Sequence, residues 1–262
     1  MDMISAIILG IIQGLTEFLP VSSSAHLVIV EKLLGFKGEG IFFEILLHCA
    51  TMLSVIIYFR KKIKTLCLGV FGIINSSYRI PYYENKEMIW SVIVGTIPTA
   101  IIGFFFNDCI DKIFNNITLV GYALIFTSLI LLVSDFFSPT GKVSFLKALV
   151  VGISQGLAVV PGISRSGITI STSIFLNIKR REAAEFSFLL SIPSILGALI
   201  LKFNEVTVIA GSVLGYYIVS AIIAFFVGLI SIYVVINIAV YAKFKYFALY
   251  CLLIGIGTVI WL

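Results

Sequence analysis

Two stretches of this chain are close copies of one another, and each is broken at a proline. GIIQGLTEFLPVSSSAH (10–26) and GISQGLAVVPGISRSGIT (152–169) share the frame G-x-x-Q-G-L, then a proline, then a serine cluster, with a one-residue gap between the frames. The residues that follow repeat as well. FEILLHCATMLSVIIYF (43–59) runs against AEFSFLLSIPSILGALI (184–200) and sets Glu44 opposite Glu185, while AIIGFFF (100–106) echoes AIIAFFV (221–227). A period this long does not suit a solenoid; it suits a membrane unit duplicated within one chain. The halves run from about 1 to 140 and from about 141 to 262, and together read as one integral membrane domain over 1–262.

Composition requires the membrane. Hydrophobic residues make up 60% of the chain and charged residues 12%, and the mean hydropathy is +1.14. A soluble domain averages about half apolar and about a quarter charged, so a soluble domain of any size is excluded. The net charge of +5 does not point to nucleic acid, because the basic residues stand in short runs beside apolar segments, where orientation signals and headgroup contacts occur. The start, MDMISAIILG, has no basic leader or small-residue cleavage site, and no cleaved signal peptide is expected. Cys49, Cys67, Cys109 and Cys251 are scattered singly and read as small apolar packing residues.

Each half contains one interrupted segment (3–35 and 143–178) and three continuous apolar spans: about 41–59, 88–106 and 117–137, then about 183–201, 209–229 and 246–262. The interrupted segments are pairs of short arms broken at Pro20 or Pro161. Such backbone is tolerated at membrane depth only inside protein or against a wet cavity, so re-entrant hairpins are predicted. Three crossings per half invert the second half relative to the first. The fold class expected is therefore an all-α polytopic membrane protein of two inverted-topology repeats, each a re-entrant helix hairpin plus three transmembrane helices. With the termini outside, the inner face receives Arg60, Lys61, Lys62, Lys64, Arg79, Lys86, Lys142, Lys147, Lys179, Arg180, Arg181, Lys243 and Lys245. The outer face receives only Lys32, Lys37, Lys112 and Lys202, and Arg165 stays in the core. This is the positive-inside distribution, and it brings the two hairpin tips together near the midplane.

Each tip then holds a helix N-terminus, near Ser22–Ser24 and near Ser164–Ser166, and two such ends converging make an anion site. Arg165 adds a permanent cation with a fork of donors suited to phosphate; its alternative role is to pair with Glu17 or Glu185 and hold the hairpins together. Gln13 and Glu17, four apart, share a helix face and offer oxygen ligands to a hard cation, or a helix-packing hydrogen bond. Ser23 and His26, three apart, also share a face, and a hydroxyl beside an imidazole is the pairing that activates an oxygen nucleophile. Serines after a proline also serve as N-caps. His48 reads as structural, and Glu44 and Glu185 as either site supports or hairpin caps.

At these residues the chain resembles the undecaprenyl-diphosphate phosphatase family, UppP or BacA, also called bacitracin resistance proteins. QGLTEFLPVSSSAHL resembles the family segment [E/Q]-x-x-x-E-F-L-P-[V/I]-S-S-[S/T]-x-H, and PGISRSGIT resembles P-G-x-S-R-S-x-x-T. The likeness covers essentially the whole chain. It implies a bacterial cytoplasmic-membrane enzyme, multi-pass, whose site opens to the outer face. Such an enzyme hydrolyses undecaprenyl diphosphate to undecaprenyl phosphate and phosphate, recycling the lipid carrier for peptidoglycan. It implies a divalent cation, Mg²⁺ or Ca²⁺, held by Glu17 and Gln13, with Glu44 as a supplement. Ser23 matches the nucleophile, His26 its partner, and Arg165, Ser164, Ser166 and Thr169 the diphosphate-binding segment, with Ser22 beside them. This chain has Gln13 where many relatives have Glu, and His48 where the family commonly has Gln. The partners implied are the lipid-linked diphosphate and membrane lipids, with no nucleic acid; oligomeric state, a homodimer included, is left open. The competing reading is a polyprenyl-phosphate or anion transporter, since inverted repeats with broken helices also build carriers. A carrier needs no nucleophile, and the Ser23–His26 pair favours the enzyme.

Overall fold

A computed structural model of the chain describes residues 2–35, 41–75, 78–114, 116–202, 211–240 and 244–262, without the side chains of 41, 107–114, 202, 211–212 and 238–240. Of the residues singled out above, Lys37, Lys243 and the side chains of Cys109, Lys112 and Lys202 lie outside this description.

The two interrupted segments are helical hairpins. The first is α1 (Met3–Thr16) and α2 (Ser23–Leu33); the second is α7 (Phe145–Leu157) and α8 (Arg165–Phe175). Between them run α3 (Ile41–Tyr58), α4 (Arg60–Phe71), α5 (Arg79–Phe114) and α6 (Ile117–Asp135); after them come α9 (Arg180–Lys202), α10 (Gly211–Val240) and α11 (Phe244–Trp261). The hairpin arms have 14, 11, 13 and 11 residues. At 1.5 Å per residue that is roughly 16–21 Å, short of the ~30 Å hydrocarbon core. Pro20 and Pro161 stop the first arms, because proline cannot donate to a helix and disfavours helical backbone before it. Ser22 and Ser164 then restart the chain as N-caps, accepting from the amides of Ala25 and Gly167 at 3.4 and 3.1 Å.

Five helices are long and apolar enough to cross a membrane, and the bent α3–α4 pair makes up to six among the described residues. The chain is a multi-pass, all-helical membrane protein. Five of the six expected spans are single helices of this kind, and the first, about 41–59, counts only within the bent pair. Positions 209 and 210 of the fifth lie outside the described residues. Three features differ from expectation. The second span is much longer than 88–106, because α5 starts at Arg79 and runs to Phe114. The fifth continues to Val240, since SIYVVINIAV extends the apolar helix without a break. The basic run after α3 is no loop: it opens the helix α4, bent by 82° from α3.

The packing exchanges partners between the halves. In the first hairpin α1 lies on α10, while in the second α7 lies on α5; α3 meets α9, and α6 meets α11. The repeated G-x-x-x-G explains the close seats. A Cβ at Gly10 would strike the backbone of Ser220, and one at Gly152 the backbone of Gly95, so bare glycines let the helix axes approach. Hydroxyls lock both seats in the same manner: Ser220 donates to the Ala6 carbonyl (2.6 Å) and Thr99 to that of Gly152 (2.9 Å).

The hairpins enter from opposite ends. Lys32, at the open end of the first, donates to the carbonyl of Leu262 at the end of α11. At the open end of the second, Lys179 donates to Gly141 (2.9 Å), and its neighbour Arg180 donates to the carbonyls of Ser134 and Phe137 at the end of α6. The amide of Phe244, at the start of α11, meets Asp135 there. The two open ends thus sit at opposite ends of α11, and the tips meet between them, where Ser166 of the second donates to Leu19 of the first (3.1 Å).

Candidate active site

The tips are built alike and then diverge. Ser22 and Ser24 are 3.2 Å apart, as Ser164 and Ser166 are at 3.3 Å. Between each pair stands a different residue: Ser23 in the first tip, Arg165 in the second. Both point to Glu17. The Ser23 hydroxyl donates to Oε2 of Glu17 at 2.6 Å, and Nη2 of Arg165 donates to Oε1 at 2.5 Å. Gln13 donates its amide to Oε2 at 3.1 Å from one turn earlier. Nδ1 of His48, on α3, lies 3.4 Å from Oε2 and 3.3 Å from the Gln13 amide nitrogen. Glu17 is buried (6% exposed). A lone carboxylate there would be costly, and four polar neighbours offset that cost.

Ser22 has φ 70°, a left-handed conformation that a non-glycine residue holds at a cost of about 1–3 kcal/mol and that recurs at functional sites. In the second tip the positive φ falls on Gly162, which glycine adopts freely. His26 holds the Ser22 turn. Its Nδ1 is 2.8 Å from the Ser22 carbonyl and its Nε2 is 2.8 Å from the hydroxyl of Tyr250 on α11. Both ring nitrogens are therefore engaged away from Ser23, and the pairing read from their spacing is replaced by Ser23–Glu17.

These groups form the floor of a cavity of about 720 Å³. Glu17, Ser22, Ser23, Glu44, Ser164 and Arg165 line it; Gln13, His26, Ser166 and Thr169 do not. Gln13 backs Glu17 from behind. Thr169 donates to the Arg165 carbonyl (2.7 Å) and meets the Ser187 hydroxyl (2.6 Å), so it braces the second tip on α9. Glu185 is not at this floor; it pairs with Arg181 at 3.4 Å and lines a separate charged cleft with Lys62 and Glu84.

The floor also contains residues that sequence reasoning did not assign to it. His48 is one, and Thr96, Thr99, Gln155 and Ser194 form its far side. Gln155 occupies the place in the second repeat that Gln13 holds in the first, and it donates to Ser194 (2.7 Å) and Thr99 (3.1 Å). Its place in the repeated G-x-x-Q-G-L frame was the available signal. For His48 the signal was an ionisable residue inside a span.

No group of three or more His, Cys, Asp or Glu side chains able to hold a metal ion occurs among the described residues. Among the described residues Glu17 and Glu44 are the carboxylates lining the cavity; the Oε1 of Gln13 is buried without a hydrogen-bond partner, behind Glu17 and off the cavity. Nη1 of Arg165 is likewise buried without a partner, leaving half of the guanidinium fork unengaged.

Comparison with known proteins gives the chain's family. Residues 6–257 match the family described as bacitracin resistance protein BacA. The chain belongs to that family. Its BacA-family relatives include the undecaprenyl-diphosphatase of Methanosphaera stadtmanae, 40% identical over 99% of this chain and 98% of the relative. That of Christiangramia forsetii is 38% identical over the same shares. That of Desulfosudis oleivorans is 40% identical over 100% of this chain and 99% of the relative.

Proposed function

We propose that this BacA-family protein is an undecaprenyl-diphosphatase, hydrolysing undecaprenyl diphosphate to undecaprenyl phosphate and phosphate. The observation that carries the reading is the Ser23 hydroxyl, 2.6 Å from Glu17, beside Arg165 at the polar floor of a cavity with apolar walls. That is the geometry of an activated oxygen nucleophile, with a cation where phosphoryl charge develops. A carrier of lipid phosphate would need the cation but no such hydroxyl.

In the first step Oγ of Ser23 attacks the terminal phosphorus, and the bond from that phosphorus to the bridging oxygen breaks. Undecaprenyl phosphate leaves, and the serine proton passes to Oε2 of Glu17. Glu17 gives that proton to the departing undecaprenyl phosphate. Water then attacks the phosphoserine and loses a proton to Glu17, the bond from phosphorus to Oγ breaks, and Glu17 returns the proton to Oγ as phosphate departs. Arg165 swings part of its fork from Glu17 to the phosphoryl oxygens, helped by the amides that open α2 and α8. Glu17 and Glu44, with Gln13 behind, would hold a divalent cation, which supplies charge neutralisation for the diphosphate. Direct attack by water, with Ser23 only binding phosphate, is the competing route.

The cavity walls run out along α5 to Phe105 and along α9 to Leu201, toward the end of the protein where the first hairpin opens. The basic α4 lies at the other end, so by the positive-inside rule the site faces outward across the bacterial cytoplasmic membrane. Purified protein in detergent, where no transport can occur, is expected to release phosphate from undecaprenyl diphosphate. Binding of the lipid without phosphate release would instead support the carrier.

A further inference from the structure

Most helical glycines here have a packing reason. A Cβ at Gly10, Gly14, Gly121, Gly152, Gly156, Gly228 or Gly255 would press within 3 Å of a neighbouring helix. Gly103, Gly197 and Gly215 do not: a Cβ there would meet nothing within 4 Å. Glycine weakens a helix interior, so a bare position with open space beside it has no explanation in the packing. Gly103 on α5 and Gly197 on α9 share one location, since both line the apolar walls of the cavity whose floor holds Glu17, Ser23 and Arg165; Gly215 does not line it.

We infer that Gly103 and Gly197 keep open a slot between α5 and α9 that admits the first isoprene units of the lipid, making them specificity-determining residues for a branched polyprenyl chain. This deepens the phosphatase reading and rests on it. Gly197 is one turn beyond Ser194, which stands on the polar floor, and Leu201 is one turn further. A chain leaving a diphosphate bound at that floor along these apolar walls passes both positions. The neighbouring walls suit it: Ile101, Phe104 and Phe105 on α5, and Ile195, Ile200 and Leu201 on α9. Methyl-branched isoprene units are wider than a straight acyl chain, and a slot flanked by bare backbone gives that width.

The test uses full-length Gly103→Leu, Gly197→Ala, Gly197→Leu and Gly215→Leu in detergent. Two readouts are taken: kcat and KM for undecaprenyl diphosphate, and binding of a fluorescent polyprenyl phosphate. Leucine is a better helix former than glycine, so these changes do not threaten the helices, and melting temperatures check that. Gly103→Leu and Gly197→Leu are expected to raise KM and weaken lipid binding at least tenfold, with Gly197→Ala between them and wild type. Gly215→Leu is expected to stay within twofold. Near-normal KM and binding in both cavity-lining leucine variants, or an equal loss in Gly215→Leu, would overturn the slot. A wild type that binds the lipid with this glycine dependence but releases no phosphate would leave the slot standing and sink the phosphatase reading.

Discussion

His26 and Tyr250 are joined through Nε2 and the phenol oxygen at 2.8 Å, with their rings 8° from parallel. This contact fixes what the histidine can do. A carbonyl only accepts, so Nδ1 carries the proton given to Ser22 (2.8 Å), and in the neutral ring Nε2 accepts from Tyr250. No lone pair is left for Ser23. His26 clamps the strained Ser22 turn, next to the proposed nucleophile Ser23, and we assign it a positioning role.

An asparagine can copy that clamp, because its amide nitrogen reaches about where Nδ1 lies. His26→Asn is therefore expected to keep activity within roughly tenfold of wild type with an unchanged pH profile of kcat/KM, whereas His26→Ala falls further. Tyr250→Phe removes one neutral hydrogen bond, worth about 0.5–1.5 kcal/mol or roughly 2- to 10-fold. A loss of about 10²–10⁴ in His26→Asn, with one limb of the pH profile gone, would restore a proton-transfer role.

Ser23→Ala removes the proposed attacking atom, and Ser22→Ala removes a cap. Losing one hydrogen bond to a charged group costs about 1.5–3 kcal/mol, roughly 10- to 150-fold in rate. Steady-state turnover of Ser23→Ala is expected below that window and that of Ser22→Ala within or above it. Acid-quenched wild type should also yield phosphoserine at position 23. A Ser23→Ala enzyme inside the window would make water the nucleophile.

Arg165→Lys keeps the charge and loses the fork. One ammonium cannot hold Glu17 and a phosphoryl oxygen in the same plane, so most activity should vanish while the protein still folds. Turnover close to wild type would reduce Arg165 to a counter-charge for Glu17.

Removal of divalent cations by chelator is expected to abolish turnover, with recovery on adding Mg²⁺ or Ca²⁺. Glu17→Gln should be inactive under all conditions, and Gln13→Glu should be tolerated. Full activity in chelator would remove the cation from this chemistry.

Lys62 on α4 tests the orientation. In a cysteine-free background Lys62→Cys should react with a membrane-impermeant maleimide only after permeabilisation. Labelling in intact cells would invert the topology.

The broken hairpins and their mutual approach were legible in the sequence, because proline placement and repeat parity each act locally or by counting. The partner of Arg165 was not, since Glu17 and Glu185 were equally open to it and only the packing selects Glu17. Nor was His48. It stands opposite Leu189 in the repeat, and its approach to Glu17 depends on how α3 packs against the first hairpin. Tyr250 is further still, 224 residues from His26, in a helix whose sequence reads as plain membrane span. Ser23 and His26 share a helix face as their spacing requires. Spacing says nothing of which neighbour each side chain chooses when a carboxylate and a phenol are also within reach. The bend at Phe59 was hidden because a basic run after a span reads equally as a loop or as a helix lying along the membrane surface.

The matched serine pairs, with Ser23 between one and Arg165 between the other, bear on how such a protein could arise. Two identical half-length chains assembled about a twofold axis would present the same residue at both tips, two serines or two arginines, and a carboxylate either twice or not at all. Joining the halves in one polypeptide released each tip from its copy. One could drift toward acid and hydroxyl and the other toward cation, while the glycine seats beneath them, needed equally by both, stayed alike. The scaffold is thus common to both halves, and the labour at the tips is divided between them.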